Sequence, residues 1–152
     1  DLREDYLEER FSHATVLHRV WDLVGDGKIF QFGIRSGDRS EFVWAKDHVF
    51  TNKFNFHGLK EIVDQLKEKP VYFTLDLDVL DPSVFPGTGT PEAGGVSFQE
   101  LLEAMIQVSH LNIVGFDVNE LSPVYDQSGS STAMACKVLR ELLIAVMKNR
   151  AE

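Results

Sequence analysis

The chain has 152 residues, 43% of them hydrophobic, so it can bury a sizeable core, and a single cooperative globular unit is the default expectation. Its 15 Lys and Arg stand against 24 Asp and Glu, a formal charge of −9 with the cations scattered among acids, which argues against nucleic acid and anionic membranes as partners. No apolar run reaches the roughly 18 residues that span a bilayer and no basic-then-apolar leader opens the sequence, so a soluble, cytoplasmic protein is expected.

The opening Asp1-Leu-Arg-Glu-Asp5 has neither a Met nor a strand leading into it, which suggests part of a longer protein. From Ser12 to Val24, residues Val16, Leu17, Val20, Trp21 and Val24 recur at helical spacing, and Gly25-Asp-Gly27 stops the helix. Ile29-Phe-Gln-Phe-Gly-Ile34 reads as a buried strand with a loop beginning at Arg35-Ser-Gly37. A charged helical turn near Glu41 to Lys46 precedes a weaker strand at His48-Val-Phe-Thr51.

Leu59, Ile62, Val63 and Leu66 form a helix face closed by Pro70, and Val71-Tyr-Phe-Thr-Leu75 begins the next strand. Ser97-Phe-Gln-Glu100 has capping-box spacing and starts a helix whose face is Leu101, Leu102, Met105 and Val108. Asn112 to Val118 is a further strand, and Ser131 to Met147 a last helix with Ala135, Val138, Leu139, Leu142, Leu143 and Val146 as its stripe. The lone Cys136 in that helix reads as a small buried hydrophobe. Strands alternating with helical crossovers imply an α/β fold with parallel strands and helices on both faces. Ligands in such folds bind at the carboxyl ends of the strands.

Acidic residues gather at those ends. Asp76 and Asp78, two apart on an extending strand, are expected to project to one face while Leu75, Leu77 and Val79 pack inward. Two such carboxylates repel unless a cation sits between them, and they suit Mg²⁺ or Mn²⁺. Asp81, before Pro82, is either a turn former or a third acid of the site. The loop Pro86-Gly-Thr-Gly-Thr-Pro91, with Gly94-Gly95, allows close approach to a ligand but lacks the Lys of a phosphate-binding loop, which disfavours nucleotides and phosphotransfer.

Asp117 and Glu120 follow at the end of the Asn112 strand, where Glu120 can grip a cationic substrate through charge-assisted hydrogen bonds or stand as an exposed loop acid. His13, in Ser12-His-Ala-Thr15 at a helix start, is either a residue of the capping region or a proton carrier near neutral pH. His18, His48, His57 and His110 read as structural residues on helix or loop surfaces.

Thr74-Leu-Asp-Leu-Asp-Val-Leu-Asp-Pro82, with the Pro-Gly-Thr-Gly-Thr-Pro and Gly-Gly that follow, resembles the signature of the ureohydrolases, the arginase and agmatinase family. The resemblance extends through Ser12-His-Ala-Thr15, Phe32-Gly-Ile-Arg-Ser-Gly37 and Val114-Gly-Phe-Asp-Val-Asn-Glu-Leu-Ser-Pro-Val-Tyr-Asp126, and is stronger to bacterial and archaeal agmatinases than to arginases.

It implies a three-layer α/β/α fold with a mostly parallel sheet, of which residues 1–152 would be the carboxyl-terminal part of a single domain. It implies two Mn²⁺ ions with Asp1, Asp76 and Asp78 among their ligands, Asp76 bridging, and a homo-oligomer, trimeric or hexameric. Glu120 would hold the substrate guanidinium, Thr90 would assist binding, and His13 would pass a proton to the leaving amine. A guanidinium is a poor electrophile, so the reaction needs the strong nucleophile that a metal makes from water at neutral pH.

Agmatine, giving putrescine and urea, is the expected substrate. Arginine or a guanidino acid would need a partner for its carboxylate, for which Arg35 or Arg39 are candidates, whereas Asp38 favours a second cationic end. Half of the family's metal ligands would precede Asp1, so the chain alone is expected to be inactive, and a truncated non-catalytic relative is the competing reading.

Overall fold

The computed structural model describes residues 1–151, and the chain forms two compact units, one of Asp1–Lys53 and one from Phe54 onward. Each unit carries its own parallel strand pair.

In the first unit a 3-10 turn, His13–Thr15, runs into α1 (Val16–Val24), followed by β1 (Phe30–Ile34), α2 (Arg39–His48) and β2 (Phe50–Lys53). The turn is set by a reciprocal cap: Ser12 Oγ accepts from the Ala14 amide at 3.2 Å and Thr15 Oγ1 accepts from the Ser12 amide at 3.0 Å. β1 and β2 pair in parallel, Phe30 opposite Phe50, with a register break between Gln31 and Ile34. Leu2, Ile29, Ala45 and Val49 form the core, with Leu17, Trp21 and Trp44 packed against it.

Two expectations fail in α1. Val16, Val20 and Val24 face outward, Val16 with 54% exposure, so only the Leu17 and Trp21 part of the apolar stripe packs. His18 is not a surface residue: it is buried, its ring stacks on Trp44 with centroids 4.5 Å apart, and Nδ1 lies 3.0 Å from the Leu2 carbonyl oxygen. Burial of an imidazole with a flat aromatic partner and a hydrogen-bond partner costs little, so it replaces an aliphatic residue on that face. The charged turn near Glu41 is a full helix because Asp38 and Glu41 form a capping box at its start.

The second unit contains α3 (Leu59–Leu66), β3 (Pro70–Asp76), a 3-10 turn at Leu77–Val79, α4 (Phe98–Val108), β4 (Asn112–Asn119), a 3-10 turn at Pro123–Tyr125 and α5 (Ser130–Ala151). β3 opens on Pro70, whose missing N–H is tolerated at a strand's first residue. α4 supplies the crossover that parallel pairing requires, and β3 and β4 run in register from Pro70 opposite Asn112 to Asp76 opposite Asn119, with one irregularity after Val71.

Ala135, Val138, Leu142 and Val146 are the buried stripe of α5, while Leu139 and Leu143 lie outside it. Cys136 is exposed rather than buried, because it falls on the outer side of that stripe. No helix among the described residues is long and apolar enough to cross a membrane.

Candidate active site

The strand ends of the second unit hold most of the candidate residues. Leu75, Leu77 and Val79 are buried while Asp76 is exposed and Asp78 half-buried, so burial alternates as expected. The backbone does not stay extended, however. β3 ends at Asp76, and Asp78 sits in the 3-10 turn, which the Asp76 carboxylate caps by accepting from the Asp78 amide at 2.9 Å. The two carboxylates are therefore neighbours across a capped turn rather than along a strand.

Asp81 resolves as a structural residue. One carboxylate oxygen accepts from the Ser83 amide at 3.0 Å, and the other from the Gly94 and Gly95 amides at 2.8 and 3.1 Å. These bonds, the Ser83 side chain foremost, lower its pKa to about 2. The two ends of the glycine loop are thereby tied together. A Cβ on Gly95 would stand 2.5 Å from the Asp81 nitrogen and 2.6 Å from the Leu80 carbonyl carbon, so only glycine fits there. Between these ends Phe85, Gly87 and Thr88 are buried, and Gly89 and Thr90 are exposed at the tip. Thr88 is 2% exposed and its hydroxyl oxygen has no hydrogen-bond partner among the described residues.

Because Asp76 is level with Asn119, Glu120 follows at the same sheet edge as Asp76. Glu120 is exposed and has φ +68°, a left-handed conformation that costs a non-glycine residue about 1–2 kcal/mol and that clusters at functional sites. Just before it, Asp117 accepts from Thr74 Oγ1 at 2.8 Å and also from the Asn119 side-chain amide. The same carboxylate raises the Tyr72 pKa by hydrogen bonding. Asp117 thus joins β3 to β4 and is engaged within the sheet.

In the first unit the Asp1–Arg3 segment lies along the His13–Thr15 turn: the Leu17 amide donates to the Asp1 carbonyl at 3.2 Å and the Arg3 amide to the Ala14 carbonyl at 3.2 Å. His13 is exposed, with Tyr6 edge-on at 5.2 Å between centroids. Asp38 accepts an ion pair from Arg3 Nε at 3.2 Å.

Three residues that hold these segments were not singled out from the sequence. Glu41 is buried and accepts from the Leu2 amide at 2.8 Å and the Asp38 amide at 2.8 Å, fixing the chain beside Asp1; its Asp38-x-x-Glu41 spacing was the available signal. Asp126 and Ser131 are buried at the start of α5, and their signal was an acid followed by Ser128, Ser130 and Ser131 ahead of a helical apolar run.

Asp76 and Asp78 supply carboxylate oxygens, donors that fit a hard or borderline divalent cation. Among the described residues no group of three or more His, Cys, Asp or Glu side chains is gathered to hold an ion. Sheet-edge carboxylates, a glycine loop and a strained exposed Glu can hold a cation and a cationic ligand.

The model of the arginase family matches residues 1–145. An agmatinase from Bacillus anthracis is 46% identical over 153 aligned positions, which take in 97% of this chain and 52% of that protein. A solved structure from Clostridium difficile superposes on 95% of this chain with a TM-score of 0.92 at 52% identity, using 54% of its own length. The agmatine ureohydrolase of Thermoplasma volcanium gives a TM-score of 0.84 at 32% identity over 98% of this chain and 52% of its own. The chain spans about half the length of the curated relatives it matches.

Proposed function

The chain belongs to the arginase family, and from that premise we propose that it serves in the manganese-dependent hydrolysis of agmatine to putrescine and urea. The observation that carries the reading is the sheet edge on which Asp76, Asp78 and Glu120 stand, in a chain 46% identical to an agmatinase along almost all its length. A net charge of −9 favours a dication such as agmatine over a zwitterionic or acidic guanidino compound.

Asp76 and Asp78 would hold manganese, whose chemistry is to supply hydroxide from water at neutral pH. Glu120 accepts the guanidinium N–H groups in a two-pronged hydrogen bond and orients the guanidino carbon. Its exposed position and lack of a partner among the described residues leave the carboxylate open for that contact. The family resemblance assigns His13 to give a proton to the alkyl-bearing nitrogen as the C–N bond breaks and to take one back from the oxygen newly bonded to the guanidino carbon, so that putrescine leaves as an amine and the carbon remains as urea. A homo-oligomer, trimeric or hexameric, is the assembly that belongs to this reading.

The test is urea release by the protein as it occurs in its source, loaded with Mn²⁺, from agmatine and from 4-guanidinobutyrate. Faster release from agmatine is expected. Preference for the acid overturns the substrate, and no urea from either overturns the hydrolytic reading.

A further inference from the structure

The loops after β3 and β4 are tied to each other through residues that lie outside the chemistry described above. The Ser122 amide donates to the Gly87 carbonyl at 2.8 Å, and the Gly87 amide donates to Ser131 Oγ at 2.8 Å. The Ser131 amide in turn donates to Asp126 at 2.7 Å, and the other Asp126 oxygen accepts from the Ser128 amide at 3.1 Å and the Ser128 hydroxyl at 2.6 Å. Gly87 belongs to the glycine loop, Ser122 lies two residues after Glu120, and Ser131 is in the first turn of α5. A Cβ on Gly87 would stand 2.7 Å from the Ser131 Cβ and 3.0 Å from the Asp126 Cβ, so the loop backbone is seated directly on this pair.

We propose that Asp126 and Ser131 are positioning residues: they fasten the glycine loop to the start of α5 and, through Gly87, fix the segment that carries Glu120. The inference rests on the reading of Glu120 as the guanidinium holder. Asp126 and Ser131 do not touch the substrate; they act through the backbone of Gly87 and Ser122. Both are buried, and every link in the chain from Asp126 to Ser122 is a hydrogen bond of ordinary length. The segment from Leu121 to Tyr125 has little apolar anchorage of its own, since Val124 and Tyr125 are exposed, so these bonds decide where Glu120 stands. The left-handed backbone at Glu120 also needs neighbours that over-determine it: Asn119 is held in the sheet on one side, and Ser122 on Gly87 is the restraint on the other.

The test compares amide hydrogen exchange and agmatine-induced NMR shifts in the full chain and its Ser131→Ala, Asp126→Asn and Ser128→Ala variants. Ser131→Ala removes the acceptor for Gly87. Exchange at both Gly87 and Ser122 is expected to rise about fivefold to tenfold, as suits the loss of one hydrogen bond. The agmatine shift at the Glu120 amide weakens severalfold, and Met105 and Leu142 in the helices keep their protection. Asp126→Asn turns an amide N–H₂ toward donors and reproduces this pattern, whereas Ser128→Ala, which spares the Ser131 link, gives a smaller effect.

A rise confined to Gly87 overturns the coupling. An equal rise at Met105 and Leu142 overturns it as well, by showing a role in global stability alone. Wild-type chain in which agmatine leaves the Glu120 amide unmoved, while Gly87 and Ser122 still loosen together, sinks the substrate reading and upholds the coupling.

Discussion

The loops that follow β3 and β4 leave the same sheet edge and are held by different forces. The β3 loop buries Phe85 completely and closes its own ends through Asp81 on Gly94 and Gly95. The β4 loop points Val124 and Tyr125 at solvent, 75% and 64% exposed, and depends on Asp126 and on Gly87 of the other loop. In both, the acid nearest the strand end is exposed (Asp76, Glu120) and the acid further along is spent on backbone amides (Asp81, Asp126). Carboxylates of one type thus divide into exposed groups at the strand ends, of which Asp76 also caps the turn after it, and groups further along that shape the loops. The first loop is anchored by apolar burial as well as polar bonds, the second by polar bonds alone.

The sharpest way to break this contrast is to remove the apolar anchor. Phe85→Ala deletes a fully buried ring and is expected to destabilise the chain by about 3–5 kcal/mol. Val124→Ala, in the other loop, is expected to stay within about 0.5 kcal/mol. Urea unfolding midpoints measure both, and comparable losses from the two substitutions would show that apolar burial does not distinguish the loops.

Next in size is the backbone approach at the far end of the β3 loop. Gly95→Ala forces a methyl against the Asp81 and Leu80 main chain, neither of which can rotate away as a side chain would, for an expected cost of about 1–3 kcal/mol. Gly89→Ala, at the open tip where a Cβ meets nothing within 4 Å, is expected to be neutral to slightly stabilising, within about 0.5 kcal/mol. The same unfolding measurement checks the pair, and a neutral Gly95→Ala would mean that the Asp81 closure is loose.

Acid should open the two closures in order. The folded pKa of Asp81 is depressed from 3.8 to about 2, so its contribution is complete above the unfolded value and is lost as pH falls from about 4 through about 2. Asp126 is held lower still, by the Ser128 hydroxyl first and the Ser131 bonds next, so its contribution persists further into acid. In an NMR titration the Gly94 and Gly95 amides are expected to move with a midpoint of about pH 2, ahead of Ser128 and Ser131. Ser128 and Ser131 moving first would reverse the ranking of the two anchors.

These features were unequally visible in the sequence. Helices and strands were legible because apolar residues recur with the period of the element, and the fold class followed from their alternation. Periodicity misled where burial and backbone part company. Leu75, Leu77 and Val79 alternate like a strand, yet the chain has already turned at Asp76, because a capped 3-10 turn keeps every second residue inside. The α1 stripe suffered the opposite error, since a buried His18 stacked on Trp44 displaced valines that pattern alone would place inward.

Asp76, Asp78 and Glu120 could be found as acids beside strand ends. Glu41 and Asp126 could not be recognised as buried, because a carboxylate is tolerated inside only by the amides that meet it there, and those come from residues as distant as Leu2. The strain at Glu120 was likewise invisible, a backbone property with no signature in its side chain.

That strain supports the last and smallest prediction. If Glu120 stands at φ +68° only because its carboxylate is wanted there, the site carries a conformational cost that glycine would not bear. Ala and Gly both delete the carboxylate and differ chiefly in their freedom to adopt the left-handed backbone. Glu120→Gly is therefore expected to be more stable than Glu120→Ala by about 1 kcal/mol, even though glycine loses more chain entropy on folding. Both variants should lose the agmatine-induced shift at residue 120, and Glu120→Gln, which keeps shape without charge, should match the wild type in urea unfolding. If Gly and Ala are equally stable, the positive φ carries no cost and the strain argument for function fails. If Gln alone is strongly destabilising, the carboxylate supports its own loop as Asp81 and Asp126 support theirs, and the division between presented and structural acids would not hold at Glu120.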